Sequence, residues 1–489
     1  MINSKFIQIL VIFFAFLLFL VSPTPLGKKK PFNRKRILIS GRPWYGMKPV
    51  LNLAEEDYPG KGNAVAKVFL NKVNHFNTSS TEKYEQRYWY NSKFYKKDGP
   101  VFLMLGGESP ESPIWVSREN FEWTLLAKDY GAMLFLLEHR YYGYSRPTKD
   151  MTTRNMQYLS SRQAIEDVAA FIRGMNEQFN YTDQTRWVLF GAVGSSGTVQ
   201  AEVDFYQYLD IAKNSLSAYS SQCSSDLEKG MKELEAIVKT QDGERNITNL
   251  FNLCTHWSKL SHEDKEYFWL TVLGTYIEII QYSGANVGHF RTDASIPTLC
   301  KFHMDSKQSP MQHIANVVDN YGDPFRECLD VSYKEFINYL KNTSFDSEAA
   351  SDRSWMYQQC TEFGYYKSTD YDAGKFWGRI LDANWYVRQC TDIFGPSINN
   401  RTVYSSVYNT NSYYGGTKGY RGTNVIFPNG LADPWYVLGV LNRTNERNYP
   451  VNIEGTSHCA DMYTPSPDDL PSLTRARKII NDTLAQILA

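Results

Sequence analysis

The run Gly99-Pro100-Val101-Phe102-Leu103-Met104-Leu105-Gly106-Gly107 decides the architecture of this chain. A short apolar run closed off by glycines on both sides reads as a β-strand. Residues 132–137 repeat the pattern and are almost continuously apolar, which predicts burial on both faces of a sheet. Residues 88–94 form a Tyr-rich strand before them, and residues 187–190 form another short strand after them. Between the last two, residues 160–179 carry Ala164, Val168, Phe171, Ile172 and Met175 on one side of a helix. Strand, loop, helix and strand in this order predict an α/β fold with a mostly parallel sheet covered by helices.

Beyond residue 198 the pattern changes. Long helical periodicities occupy residues 203–216, 259–280 and 333–340, and six of the seven cysteines fall in the same region. A largely helical insertion over residues 199–414 is therefore expected. Strand patterns return at Val425-Ile426-Phe427 and residues 449–453, with a helix-like run at 434–441 between them and a closing helix at 473–488. Residues 38–198 and 415–489 are expected to be two parts of one discontinuous domain.

Lys plus Arg equals Asp plus Glu at 52 each, so no net field draws the chain to nucleic acid. Lys5 precedes an apolar run over residues 6–21, and Pro-rich sequence follows from Ser22. This is the pattern of a signal peptide over residues 1–22, a retained anchor being the competing reading. No later segment is apolar enough to span a bilayer, so no stable membrane insertion is expected once the leader is cleaved. The cysteines contain no CxxC pair and fit two or three disulfides with at least one free thiol. Seven Asn-x-Ser/Thr sequons begin at Asn77, Asn180, Asn246, Asn342, Asn400, Asn442 and Asn481. Together these features predict a secreted or lumenal glycoprotein. His139, His256, His262, His289, His303 and His313 form no H-x-x-x-H pair, and neither metal nor cofactor is expected.

Two C-terminal motifs carry the strongest chemistry. Asn429-Gly430-Leu431-Ala432-Asp433-Pro434-Trp435 follows one short strand, and Gly455-Thr456-Ser457-His458-Cys459-Ala460-Asp461-Met462 follows the next. A hydrolase attacking carbonyls needs an imidazole base held in one tautomer by a carboxylate. Loops beyond the ends of parallel strands present such groups, and Asp before His late in the chain fits the α/β-hydrolase order. Asp433 and His458 are the candidate pair. Asp461, three residues from His458, is a rival partner better suited to a local cap.

These motifs resemble the family of proline-specific serine exopeptidases that includes lysosomal Pro-X carboxypeptidase, dipeptidyl peptidase of the quiescent-cell type and thymus-specific serine protease, the last being nearest in appearance. Matching segments are residues 99–108, Glu138-His139-Arg140-Tyr141-Tyr142-Gly143, residues 158–164, residues 355–364 (WMYQQCTEFG) and the two C-terminal motifs. The resemblance runs from about Gly41 to the end of the chain. It implies an α/β-hydrolase domain with a helical insertion over the cleft, and release of short peptides, often next to proline, in lysosomes, endosomes or outside the cell. It further implies Asp433 orienting His458 as general base, and substrate contacts from Gly107, Glu108 and Trp435. Trp355, Cys360 and Glu362 would serve structure more than substrate fit. The implied partner is a peptide, and a homodimer is compatible with the pattern.

One departure matters. The family carries its nucleophile in Gly-x-Ser-x-Gly after a strand resembling residues 187–190, and a helix then leads to a strand resembling residues 191–196. Here the two strands abut at Gly191. Parallel neighbours need a crossover of about a dozen residues or more, so one strand–helix unit is disrupted near residue 191. Either a strand position is vacant or the fragments merge into one strand. In the merged case Ser195 or Ser196, before a helix from about Thr198, would be substitute nucleophiles, with the wrong glycine spacing.

Overall fold

A computed structural model describes residues 60–191, 196–283, 294–321 and 327–489. The predicted leader, the basic stretch that follows it, His289 and Ser195 lie outside the described residues. The main sheet has five strands: β1 (Val65–Lys72), β2 (Lys83–Asn91), β3 (Val101–Leu105), β4 (Met133–Leu137) and β5 (Trp187–Gly191), in the spatial order β1-β2-β4-β3-β5. β3 runs parallel to β4 and β5, whereas β2 pairs antiparallel with both β1 and β4. The sheet is therefore only partly parallel, which corrects the expectation of a mostly parallel one. β1 escaped the sequence reading because its Val65, Val68 and Leu70 are exposed at the sheet edge and signal no core. Its pairing also draws the strand expected at 88–94 back to Lys83–Asn91.

β3 and β4 are buried along almost their whole length, as their unbroken apolar runs require. Helix α1 (Glu122–Tyr130) sets Leu126 and Ala127 against one face of the sheet, with Phe102 and Leu134. Helix α2 (Ser161–Phe179) sets Val168, Phe171 and Met175 against the other, with Leu103 and Phe135. Ser160 caps α2 by accepting from the Gln163 amide, and Asn180 ends it in a left-handed turn.

β5 is different. It lies at the edge of the sheet, and no residue in it is fully buried. Phe190 still packs on Phe102 and Trp123, at centroid distances of 5.1 and 5.6 Å. Leu189 sits beside Leu103 on the α2 face, yet it is 55% exposed. The geometry of crossovers accounts for this. The step from β4 over α2 to β5 moves one way across the sheet, and right-handed connections continuing that way lay their helices on the same face. The helix that should follow β5 would lie next to α2, over Leu189. No such helix is present among the described residues.

The chain instead reaches β8 (Val425–Gly430) within five residues of β5. The Ser196 amide donates to the Pro428 carbonyl at 2.6 Å, and the Ser196 hydroxyl accepts from the Gly430 amide at 3.1 Å. β8 pairs only with β9 (Asn448–Ile453), in a separate parallel two-stranded sheet. Among the described residues no strand joins β5 to β8; residues 192–193, on which the merged-strand alternative turns, lie outside the described residues. Nor does a helix start near Thr198. Ala201, Val203 and Phe205 are buried in alternation, a period of two, and β6 (Glu202–Asp204) pairs with β7 (Gly364–Tyr366). The helix expected over 203–216 is displaced to α3 (Gln207–Tyr219).

The chain continues through helices α4 (Ser221–Ile237), α5 (His262–Gln281), α6 (Ile296–His303) and α7 (Pro310–Tyr321). α5 is buried on nearly every side from Tyr267 onward, and a capping box between Ser261 and Asp264 starts it later than periodicity suggests. Disulfides join Cys223 to Cys300, Cys254 to Cys328 and Cys360 to Cys390; Cys459 is free and buried. The closing helix α8 (Pro471–Leu488) returns to pack on β9. Among the described residues no helix is long and apolar enough to cross a membrane.

Candidate active site

β8 and β9 are in parallel register, with Gly430 opposite Ile453, so the loops leaving their C-terminal ends emerge side by side. Two backbone bonds stitch the loops together, from the Leu431 amide to the Ile453 carbonyl (3.0 Å) and from the Ala432 amide to the Thr456 carbonyl (2.9 Å). Gly430 is required at this crossing, because a Cβ there would lie 2.7 Å from the Thr456 carbonyl oxygen. Asp433 then caps the 3₁₀ turn Pro434–Leu438, its Oδ1 accepting from the Trp435 amide. The short turn replaces the longer helix-like run expected at 434–441. Asp433 Oδ2 is left to meet His458 Nδ1 at 2.7 Å. The carboxylate is fully buried and the imidazole nearly so. Asp461, the rival partner, lies in the next 3₁₀ turn, where its carbonyl receives Arg477.

Residues of the helical region between β5 and β8 close over this pair. The His458 amide donates to the Gln281 carbonyl at the end of α5, and Tyr282 meets the imidazole edge-on at 5.4 Å. Gln281 Oε1 also accepts from Tyr208 Oη (2.6 Å) and Trp435 Nε1 (2.9 Å). Lys367 Nζ stands over the Tyr208 and Trp435 rings, at 4.6 and 4.8 Å. Sequence reasoning missed Gln281, Tyr282, Tyr208 and Lys367. The only local hint was Lys367 following the 355–364 motif by three residues.

Burial by itself would lower the His458 pKa, but the charge and hydrogen bond of Asp433, helped by a hydrogen bond with Cys459, hold it well above the ordinary imidazole range. Burial raises the Cys459 thiol, against a lowering by His458, so it stays protonated and is a poor nucleophile. Burial lowers Lys367 to about 7, with Asp433 opposing. Because the folded His458 is the more basic form, its contribution to stability is complete below the unfolded imidazole pKa. That contribution is lost as pH rises through the raised folded value. Asp433→Asn removes the opposing charge and leaves burial in control, so the His458 ring should titrate much lower, which nitrogen chemical shifts of the ring would record.

The remaining candidates are distributed as follows. Ser196 is fully buried at positive φ, bonded to β8, and no helix follows it. The Gly107 amide donates to Glu111 Oε1 at 2.9 Å, and Glu108 is half-buried beside it. Trp435 is boxed in by Phe205, Tyr208 and Tyr365. Glu138 is buried and accepts from Arg87, from the Tyr144 and Ser145 amides and from the Ser145 hydroxyl. Glu362 accepts from the Ser161 amide and hydroxyl, and burial lifts its pKa to about 7. Tyr142 donates to Gln358. The motifs at 138–143, 158–164 and 355–364 thus hold the insertion onto the sheet. A groove of about 930 Å³, lined by Tyr333, Lys341, Arg353 and Phe394 among others, includes neither Asp433 nor His458.

Comparison with known proteins sharpens the reading of the junction. The pattern of the serine carboxypeptidase S28 family matches residues 71–192 and again 189–480, so the two matches overlap at the end of β5. A Caenorhabditis elegans protein named as a serine protease is 40% identical over 487 aligned residues, covering 93% of this chain and 95% of its own length. Since 93% of 489 residues is about 455, some 32 aligned positions have no counterpart here. Human thymus-specific serine protease is 29% identical over 443 residues (83% of each chain), and human lysosomal Pro-X carboxypeptidase 23% over 444 (84% of this chain, 86% of its own). With the match spanning the sheet, the insertion and both C-terminal loops, the chain belongs to the serine carboxypeptidase S28 family.

Proposed function

We propose that this chain carries the acid–base half of a serine exopeptidase site and holds short peptides there without cleaving them. The observation that carries this reading is the buried Asp433–His458 bond at 2.7 Å, with no serine on a strand-to-helix turn beside it among the described residues. In the complete reaction a serine attacks the peptide carbonyl, His458 takes its proton and returns it to the leaving amine, and backbone amides hold the oxyanion. Without the serine only weak activation of water is left to His458. A relative named for Pro-X substrates supports a preference for peptides with proline near one end. Three disulfides, and exposure of every sequon asparagine except the half-buried Asn481, support a secreted or lysosomal lumenal setting.

A second reading is favoured by the exposed face of β5 and the overlapping family matches. A longer form of the same protein, with a nucleophile-bearing strand–helix unit between Phe190 and Ala192, is the working hydrolase. Calorimetry with short proline-containing peptides, followed by mass spectrometry, tests the first reading: saturable binding without product is expected. A serine-directed phosphonate should leave no adduct. An adduct on Ser195 or Ser196 would overturn the silent reading, and absence of binding would overturn the retained cleft.

A further inference from the structure

Three side chains far apart in the sequence meet inside the helical insertion, away from the dyad. Asp226 comes from α4, His303 ends α6, and His313 lies in the first turns of α7. His303 Nδ1 and His313 Nδ1 each approach the same atom, Asp226 Oδ2, at 2.8 Å. One ligand atom from each residue lies within 4.8 Å of the other two. Both imidazoles are buried, and the Asp226 side chain is 18% exposed, leaving a side open to solvent.

The placement follows from the disulfide. Asp226 is three residues after Cys223 and His303 three after Cys300, so each shares a helix face with its half-cystine. The Cys223–Cys300 bond therefore presents the two ligands to each other. Tyr276 Oη engages the outer nitrogen of His303, Nε2, at 2.9 Å, as outer partners orient ligating imidazoles in metal sites. His313 Nε2, its outer nitrogen, is buried and has no hydrogen-bond partner.

We propose that Asp226, His303 and His313 form a site for one divalent transition-metal ion of the zinc type, tying α4, α6 and α7 together. Two nitrogens and one carboxylate oxygen suit zinc, with a fourth position for water on the exposed side. Bonds of roughly 2.0–2.1 Å at tetrahedral angles set ligands about 3.3 Å apart. The two Asp–His separations of 2.8 Å thus need to open slightly, and the His303–His313 separation, which lies within 4.8 Å, to settle near the same value. The inference is independent of whether the chain cleaves peptides.

Metal-depleted full-length chain titrated with zinc chloride tests it. One ion per chain should bind and raise the melting temperature, and Asp226→Asn and His313→Ala should each weaken binding by about tenfold or more. Cobalt(II) bound to the unaltered chain should give ligand-field bands of nitrogen and oxygen coordination without a thiolate charge-transfer band, a readout that needs no variant to fold. No binding, binding unchanged by both substitutions, or a thiolate band placing the ion at Cys459 would overturn the proposal.

Discussion

Insertion of a strand–helix unit carrying Gly-x-Ser-x-Gly between Phe190 and Ala192 should raise peptide hydrolysis by about 10⁴-fold or more over the 489-residue chain, and His458→Ala in the lengthened chain should remove the gain. The magnitude follows from what nucleophile and base contribute in serine hydrolases, where losing either costs about as much as losing the whole triad. On the proposed reading His458 would serve such a serine, oriented by Asp433, which uses one oxygen on the Trp435 amide and the other on His458 Nδ1. The fold awaits the helix too, because Leu189 lies uncovered where a right-handed crossover would place it. Leu189→Asp should accordingly change the stability of the present chain by under about 0.5 kcal/mol. In the lengthened chain the same change buries a carboxylate and should cost several kcal/mol. Hydrolysis equal in both chains, or Leu189→Asp equally harmful in both, would show that the junction does not lack this unit.

What could be read from the sequence depended on whether a signal was local. β3, β4 and α2 announce themselves because their apolar residues are buried in the period of the element that carries them. Asp433 and His458 could be paired because β8 and β9 are short, adjacent and parallel, so their end loops meet. β1 was missed because an edge strand with exposed Val and Leu carries no burial signal. Gln281 was missed because its bond to Trp435 spans 154 residues of chain, and Lys367 because its contact with Tyr208 is equally long-range. His303 and His313 have no metal-site spacing in the sequence, and only the disulfide and the packing of α7 bring them to Asp226. The disruption near residue 191 was legible, for chain connectivity forbids two abutting parallel neighbours; whether a strand position is vacant or the fragments merge was not.

Asp167→Ala should destabilise the protein by about 3–5 kcal/mol, the usual cost of stranding one member of a buried ion pair. Asp167 and Arg140 are both inaccessible to solvent and join through two bonds of 2.6 Å. Arg140 also donates to the carbonyls of Lys72, Val73 and Tyr158, while Asp167 accepts from Tyr84 and meets His75 Nε2. One carboxylate on α2 thereby holds the β1–β2 hairpin, the loop after β4 and the entry to α2. Burial opposes ionisation of Asp167, but Arg140 and the hydrogen bonds outweigh it and lower its pKa. Its contribution is therefore present above the unfolded carboxylate pKa and lost as pH falls through the lower folded value. Urea unfolding near neutral pH should show the full loss for Asp167→Ala, and the gap from the parent chain should narrow in strong acid. Replacing both residues, with Arg140→Met and Asp167→Leu, should recover only part of the loss. The double change removes the stranded charge but leaves the Tyr84 hydroxyl and three carbonyls without their partners. A loss below about 1 kcal/mol for Asp167→Ala would mean that water enters to solvate Arg140, and that the α2–sheet contact is held by Val168, Phe171 and Met175 alone.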